Sequence, residues 1–199
     1  MRARMAIHRS GLTVELREVV LKEMPVQLLG CSPKGTVPVV VLPDGGVLEE
    51  SRDIMDWALS VSDPDGWLPQ GDAAWAEIRA LLDENDEVFK ADLDRYKYAV
   101  RYPEHPSEYY RAQGERFLAR LETRLARHDF LMVDRLGIAD IGIFPFVRQF
   151  AFVDKRWFDA APYPRLQDWL TRLLDSDRFA AVMQKYPQWH EGDATTLFP

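Results

Sequence analysis

The sequence has little of what covalent cross-links and metal sites require. Its 199 residues include a single cysteine, Cys31, which excludes an intramolecular disulfide and is typical of a reducing cytoplasm. We expect Cys31 to be a buried structural thiol, with redox reactivity as the alternative. The four histidines show no metal-ligand spacing, so we expect no metal site. They are His8, His105, His128 and His190.

An excess of positive charge and long apolar runs are also missing. The formal net charge of −7 argues against nucleic acid or an anionic membrane as a partner. No apolar stretch has the length of a transmembrane helix, and the N-terminus lacks the apolar core of a signal peptide. No Gly-rich phosphate loop or nucleophile elbow is present. We therefore expect a cytoplasmic protein that binds neither nucleic acid nor membrane.

The most informative segment covers residues 31–51. Pro38 precedes three valines, a position that suits the start of a strand. The sequence Asp44-Gly45-Gly46 predicts a tight hairpin turn, because glycine adopts positive φ readily. Ser51 then stands at the expected N-cap of a helix whose apolar pattern starts at Ile54. The segment therefore predicts a strand, a turn, a second strand and a helix.

The flanking regions predict an α/β segment followed by an all-helical one. A short helix over residues 2–10 should end at Gly11, and alternating apolar residues predict a strand over 14–21. Turn-forming residues at 62–66 indicate a domain boundary. We expect a domain over residues 1–61, a linker over 62–72 and a helical domain over 73–199.

Apolar periodicity predicts the helices of the second region. One long helix should cover residues 75–96 and another should follow a break at 103–106. Later helices are predicted near residues 138–150, 164–174 and 177–185, while the tail from residue 186 has no clear period. A row of arginines on the second helix has acidic neighbours, so we expect a solvated face. These are Arg116, Arg120, Arg124 and Arg127.

The segment 31–51 resembles the second half of the thioredoxin-like domain of glutathione transferases. The resemblance implies that Pro38 follows a cis peptide bond and that the backbone of Val37 binds the cysteinyl part of glutathione. It implies that Glu50 and Ser51 hold the γ-glutamyl group. In some relatives a basic residue near the position of Lys34 meets the glycine carboxylate, so we expect that role for Lys34, with an exposed loop lysine as the alternative. The chemistry is reasonable, because a helix N-terminus attracts a carboxylate and Glu50 could pair with an ammonium group.

A second motif supports the same family. Residues 137–144 are similar to the buried helix of the family's second domain, which opens with an N-cap, two residues and an aspartate. Asp140 should accept a hydrogen bond from the cap N–H, as in a capping box. Gly137 stands where the family often has Ser or Thr, so half of the reciprocal bonding is lost. An exposed Asp140 at a helix start is the alternative.

The resemblance also implies a motif and a first strand that do not occur in this sequence. Residues 1–6 resemble the stretch that follows a Cys-Pro-Tyr-x motif in bacterial members, and neither that motif nor the first strand precedes them. We expect a mis-assigned start at Met1, with a truncated, inactive form as the alternative, and we assign no catalytic residue. Five tyrosines could line a substrate pocket, although packing explains most of them equally well. They are Tyr96, Tyr98, Tyr102, Tyr109 and Tyr110.

The resemblance implies an incomplete α/β thioredoxin-like domain followed by an all-α helical bundle. It implies a glutathione-binding protein that in its intact form transfers thiols, or conjugates small electrophiles, through an upstream cysteine. Its partners would be glutathione and a small electrophilic or disulfide substrate, and a homodimer is compatible with the family. The alternative is a non-enzymatic interaction or regulatory protein that keeps the fold, since function lies in the site and not in the fold.

Overall fold

The structure, a computed structural model, describes residues 1–199 and divides into two compact units. The first unit joins Met1–Gly66 with Asp177–Pro199, and the second is Trp67–Ser176. The expected helical domain of residues 73–199 therefore differs from the structure at its C-terminal end. None of the helices is both long enough and apolar enough to cross a membrane.

Ten helices and four short strands make up the chain. The helices are α1 (Arg2–Ser10), α2 (Val26–Cys31), α3 (Ser51–Val61), α4 (Asp72–Glu84), α5 (Lys90–Lys97), α6 (Ser107–Leu125), α7 (Ile138–Ala151), α8 (Lys155–Ala160), α9 (Pro164–Leu174) and α10 (Asp177–Val182). The strands are β1 (Val14–Glu15), β2 (Val40–Val41), β3 (Val47–Leu48) and β4 (Leu197–Phe198).

Helices α1 and α3 form the core of the first unit by packing against each other. Helix α1 covers the predicted residues and ends at Gly11, whose φ of 73° is left-handed and whose N–H donates to the His8 carbonyl. A left-handed C-cap suits glycine because it has no Cβ to clash. The apolar side chains on the two helices are almost fully buried. They are Ala3, Met5, Ala6 and Ile7 on α1, and Ile54, Met55, Ala58 and Leu59 on α3.

The C-terminal tail pairs with the first strand. The predicted strand over residues 14–21 is wrong beyond Glu15, because only β1 forms, and it pairs antiparallel with β4. Phe198 is buried, and the Arg4 guanidinium carbon lies 5.9 Å from the centroid of its ring. This long-range pairing holds the tail in the first unit. A strand of two residues is too short for the sequence to show an apolar alternation, which is why the sequence does not predict β4.

Strands β2 and β3 form the predicted hairpin. Val40 faces Leu48 and Val41 faces Val47. Gly45 has a φ of 89°, and the Gly46 N–H donates to Asp44 Oδ1 at 2.9 Å. The turn therefore uses glycine at the position that needs positive φ, as the sequence indicates.

The long helix predicted over residues 75–96 is interrupted in the second unit. A π-helical turn at Asn85–Phe89 separates α4 from α5. The extra residue in this turn keeps Phe89 on the buried face, where its ring centroid lies 4.8 Å from that of Phe117 and 5.4 Å from that of Phe150. Helical period alone cannot reveal such a turn, because a π-turn changes the register by one residue.

Asp140 is the buried polar centre of the second unit. Its Oδ2 accepts a hydrogen bond from the Gly137 N–H at 3.0 Å, as the capping motif predicts. Its Oδ1 accepts from the Leu131 N–H and from Trp169 Nε1, both at 2.9 Å. The residue is 1% exposed, so the alternative of an exposed aspartate is wrong. Asp140 thus joins the start of α7 to α9 and to the preceding loop.

Gly114 lies inside α6, where glycine is unfavourable, but the space around it leaves no room for a side chain. A Cβ there would stand 2.5 Å from Phe150 Cε2, and this ring is fixed by its neighbours Phe89 and Tyr96. We expect Gly114→Ala to lower the free energy of unfolding by about 1–3 kcal/mol, the usual cost of overpacking. Chemical denaturation measures this value.

The matched control is Gly30→Ala in α2, where a Cβ meets nothing within 4 Å. That variant should be neutral or slightly stabilised, because alanine favours a helix over glycine by about 1 kcal/mol. Equal effects of the two substitutions would show that the space around Gly114 is not limiting.

Asp140 should also give the stability a specific pH dependence. Burial raises its pKa to about 6, while hydrogen bonds from Leu131, Trp169 and Gly137 act in the opposite direction. The unfolded pKa is about 3.9, so the folded state binds the proton more tightly between about pH 4 and 6. The contribution of this carboxyl is therefore full below about pH 4 and is lost as the pH rises to 6.

We expect Asp140→Asn to destabilise the protein by about 1–3 kcal/mol, because its amide NH₂ must face a buried donor. The difference between wild type and variant should grow as the pH falls from 6 to 4, since residue 140 titrates only in the wild type. Urea unfolding at several pH values tests this. A difference that stays constant or shrinks would contradict the assigned pKa.

Candidate functional site

The hairpin brings the predicted ligand-binding segments to one end. In its register Val40 faces Leu48, so the chain before β2 and the chain after β3 leave the hairpin together. Val37 and Pro38 lie just before β2, and Glu50 and Ser51 lie just after β3. We call this region, defined by Lys34, Val37, Pro38, Glu50 and Ser51, the open end of the hairpin.

The segment before β2 contains an exposed valine. The Val37–Pro38 peptide bond is cis, which is the geometry that the resemblance implies. Val37 is 45% exposed, so its side chain is not part of the core. The backbone N–H and C=O of an exposed residue next to a strand can pair with the main chain of a bound peptide.

The start of α3 corrects one sequence prediction. Glu50, not Ser51, is the N-cap, with φ −107° and ψ 137°, and Ser51 is the first helical residue. No side chain caps this helix, so the predicted cap role of Ser51 is wrong. The Glu50 carbonyl accepts from the Ile54 N–H at 3.1 Å, which begins the helical ladder one residue earlier than expected. The first N–H groups of a helix have no acceptor within it and favour an anion.

Lys34 and Glu50 are in direct contact. The Lys34 Nζ lies 3.0 Å from Glu50 Oε1 and 3.8 Å from Glu49 Oε2. The hydrogen bond with Glu50 is the main reason why the pKa of Lys34 is raised, and the charge of Glu49 adds to it. Both members of the contact are half-exposed or more, so solvent and salt can weaken it.

Glu49 and Ser32 belong to the same cluster, although the sequence does not indicate a role for either residue. The Ser32 hydroxyl donates to Glu49 Oε1 at 2.6 Å, and Ser32 is fully buried. This bond fixes Glu49 beside Lys34. The only signal in the sequence is the pair of acidic residues before a helix, which does not show which of the two faces the lysine.

Cys31 lies outside this cluster of charges. Its Sγ is 3.1 Å from the Gln27 carbonyl and 3.4 Å from the Leu28 carbonyl, contacts within its own helix. The residue is half-buried, so the expectation of a buried thiol is only partly met. The thiol donates to backbone carbonyls of α2.

Packing within the second unit accounts for two of the five tyrosines. The Tyr96 ring lies 4.9 Å from that of Phe150, and burial raises the pKa of its hydroxyl. The Tyr110 hydroxyl donates to the Tyr102 carbonyl at 3.2 Å, and its side chain is buried. These contacts favour a core role for Tyr96 and Tyr110.

The open end complements a short peptide with several charges. Glu50 can accept hydrogen bonds from an ammonium group, and Lys34 can bind a carboxylate. The N-terminus of α3 can bind a second carboxylate. The backbone at Val37, in the segment before β2, can pair with a peptide backbone between these groups.

Two models of one known family together match most of the chain. The family model of the glutathione S-transferase N-terminal domain matches residues 1–60, and that of the C-terminal domain matches residues 67–172. The chain belongs to the glutathione S-transferase family. Its thioredoxin-like first domain and helical second domain follow from that membership. No curated protein matches the chain significantly.

Solved structures show the same fold at low sequence identity. A glutathione transferase family member from Pseudomonas fluorescens, with two glutathione molecules bound, is 22% identical with a TM-score of 0.77, over 91% of this chain and 86% of its own. A sphingomonad glutathione S-transferase complexed with glutathione is 20% identical with a TM-score of 0.74, over 92% and 91%. Glutathione S-transferase 1-6 from Anopheles dirus species B is 22% identical with a TM-score of 0.74, over 86% and 82%.

The absence of a side-chain cap on α3 predicts how Ser51→Ala will behave. Because no hydrogen bond is lost, this variant should change the free energy of unfolding by less than about 0.5 kcal/mol. The matched control is Asp154→Ala, since Asp154 Oδ1 accepts from the Trp157 N–H at 2.9 Å at the start of α8. That variant should lose about 1 kcal/mol. A loss of similar size in both would restore Ser51 as a cap.

Proposed function

We propose that this family member binds glutathione at the open end of the hairpin. The γ-glutamyl carboxylate lies at the start of α3 beside Ser51, and its ammonium group pairs with Glu50. The backbone of Val37, before Pro38, pairs with the cysteinyl residue, and Lys34 binds the glycine carboxylate. The observation that carries the proposal is the hairpin pairing, which brings the segment of Lys34 and Val37 to the same end as the Glu50 carboxylate, where Lys34 Nζ lies 3.0 Å from Glu50 Oε1.

The proposed activity is glutathione-dependent transfer, either thiol transfer to a small disulfide or conjugation of a small electrophile. Family membership supports a reaction of this kind. Both reactions need a stabilised thiolate. No residue of the open end is assigned to that role. A cytoplasmic location, a homodimer and a small electrophilic or disulfide second substrate remain predictions.

A glutathione-binding protein without transfer chemistry is the second candidate. It keeps the same fold and the same ligand, because function lies in the site and not in the fold. Turnover assays with a generic disulfide and a generic electrophile separate the two candidates. Glutathione-dependent turnover of either substrate supports the enzyme, whereas binding without turnover of both supports the second candidate.

The binding proposal is tested by Glu50→Gln. This substitution keeps the shape of the side chain but removes the charge that attracts the ammonium group. We expect the dissociation constant for reduced glutathione to rise about tenfold, the effect of losing one charge-assisted hydrogen bond. Titration calorimetry measures the constant directly.

The control is Glu191→Gln, an exposed acid in the C-terminal tail with the same change of charge. It should leave the affinity unchanged. If Glu50→Gln binds glutathione as tightly as wild type, the γ-glutamyl group is not held by Glu50 and the site lies elsewhere.

A further inference from the structure

Lys34 and Glu50 touch each other in the chain without ligand. Their charged atoms are 3.0 Å apart, and their side chains are 54% and 65% exposed. Glu49 Oε2 is more distant from the lysine, at 3.8 Å, and its other oxygen is engaged by Ser32. Glu50 is therefore the principal partner of Lys34.

This contact conflicts with the geometry of a bound tripeptide. In the proposed function Glu50 holds the ammonium group at one end of glutathione, and Lys34 holds the carboxylate at the other. A tripeptide that pairs with a strand edge is extended, and its ends are about 10 Å apart at roughly 3.3 Å per residue. Two groups in direct contact cannot hold both ends, so the pair must open when the ligand binds.

We propose that Lys34 forms an ion pair with Glu50 in the free protein. This pair opens only when the ligand carries a distal carboxylate that binds Lys34. The inference rests on the proposed function and deepens it. A ligand with an ammonium group but no distal carboxylate must compete with Lys34 for Glu50. A ligand with both charges replaces the ion pair by two new ones. The ion pair thus selects peptides that carry a positive and a negative end at the right separation.

The energetic scale of this selection is modest. Exposed ion pairs are weak, because both charges are well solvated, and they weaken further in salt. Opening the pair should therefore change the affinity of a ligand by roughly two- to fivefold. The test therefore depends on the direction of the change in affinity and not on its size.

The test uses Lys34→Gln and two ligands, reduced glutathione and its glycyl ethyl ester, which keeps the length but lacks the distal charge. Titration calorimetry at low ionic strength gives each affinity. Removing Lys34 frees Glu50, so the ester should bind Lys34→Gln about two- to fivefold tighter than wild type. Glutathione should bind the variant no tighter, because it also loses its partner for the glycine carboxylate.

The matched control is Lys22→Gln, an exposed lysine in the same unit. It makes the same change of net charge and should leave the ratio of the two affinities unchanged. In a Glu50→Gln background, Lys34→Gln should no longer improve binding of the ester, because the competition has been removed.

Weaker or unchanged binding of the ester by Lys34→Gln would overturn the inference, since it would show that Lys34 does not compete for Glu50. The proposed function would survive that result as long as the wild type binds glutathione. Failure of the wild type to bind glutathione at all would overturn both.

Discussion

The pairing of the β2–β3 hairpin brings the segment before Pro38 and the start of α3 to the same end. Because Val40 faces Leu48, the chain enters β2 and leaves β3 at the same end. A shift by one residue would turn the valines of β2 to the opposite face and move the start of α3 relative to Pro38. The glycine turn at residues 44–46 fixes the register locally, and α3 fixes it from the other side by burying Ile54 and Met55 against α1.

Stability and binding depend on different kinds of interaction in this chain. The second unit is centred on a buried carboxylate, Asp140, whose hydrogen bonds have no water to replace them. The open end instead uses exposed charges at Lys34 and Glu50, which exchange partners at little cost. A pair buried like Asp140 could not open for a ligand without leaving an uncompensated charge. The exposure of the open end would allow it to bind and release the proposed glutathione ligand.

The sequence predicts well those features that depend on neighbouring residues. The helix at residues 2–10, the glycine turn of the hairpin and the Asp140 cap all follow from local composition and spacing. The features that the sequence does not predict depend on contacts between distant residues or on small shifts of helical register. Strand β4 exists only because it pairs with β1, and the π-turn at Asn85–Phe89 changes register without changing composition.

The same distinction holds for the candidate site. A resemblance can name Lys34, Glu50 and Ser51, but it cannot show that the first two are in contact in the free chain. The role of Ser51 as a cap was wrong because a helix boundary shifted by one residue, a shift that propensity does not resolve. Ser32 and Glu49 were missed because their bond joins two loops that are distant in the sequence.

The central claim is that glutathione binds at the open end of the hairpin. The most direct test is to titrate the ¹⁵N-labelled chain with reduced glutathione and follow its backbone amide resonances. The account predicts saturable shifts that are largest for the amides of Val37 and Ser51, with small shifts for the tail around Glu191. Shifts that are largest in the second unit, or no saturable shift at either amide, would contradict it.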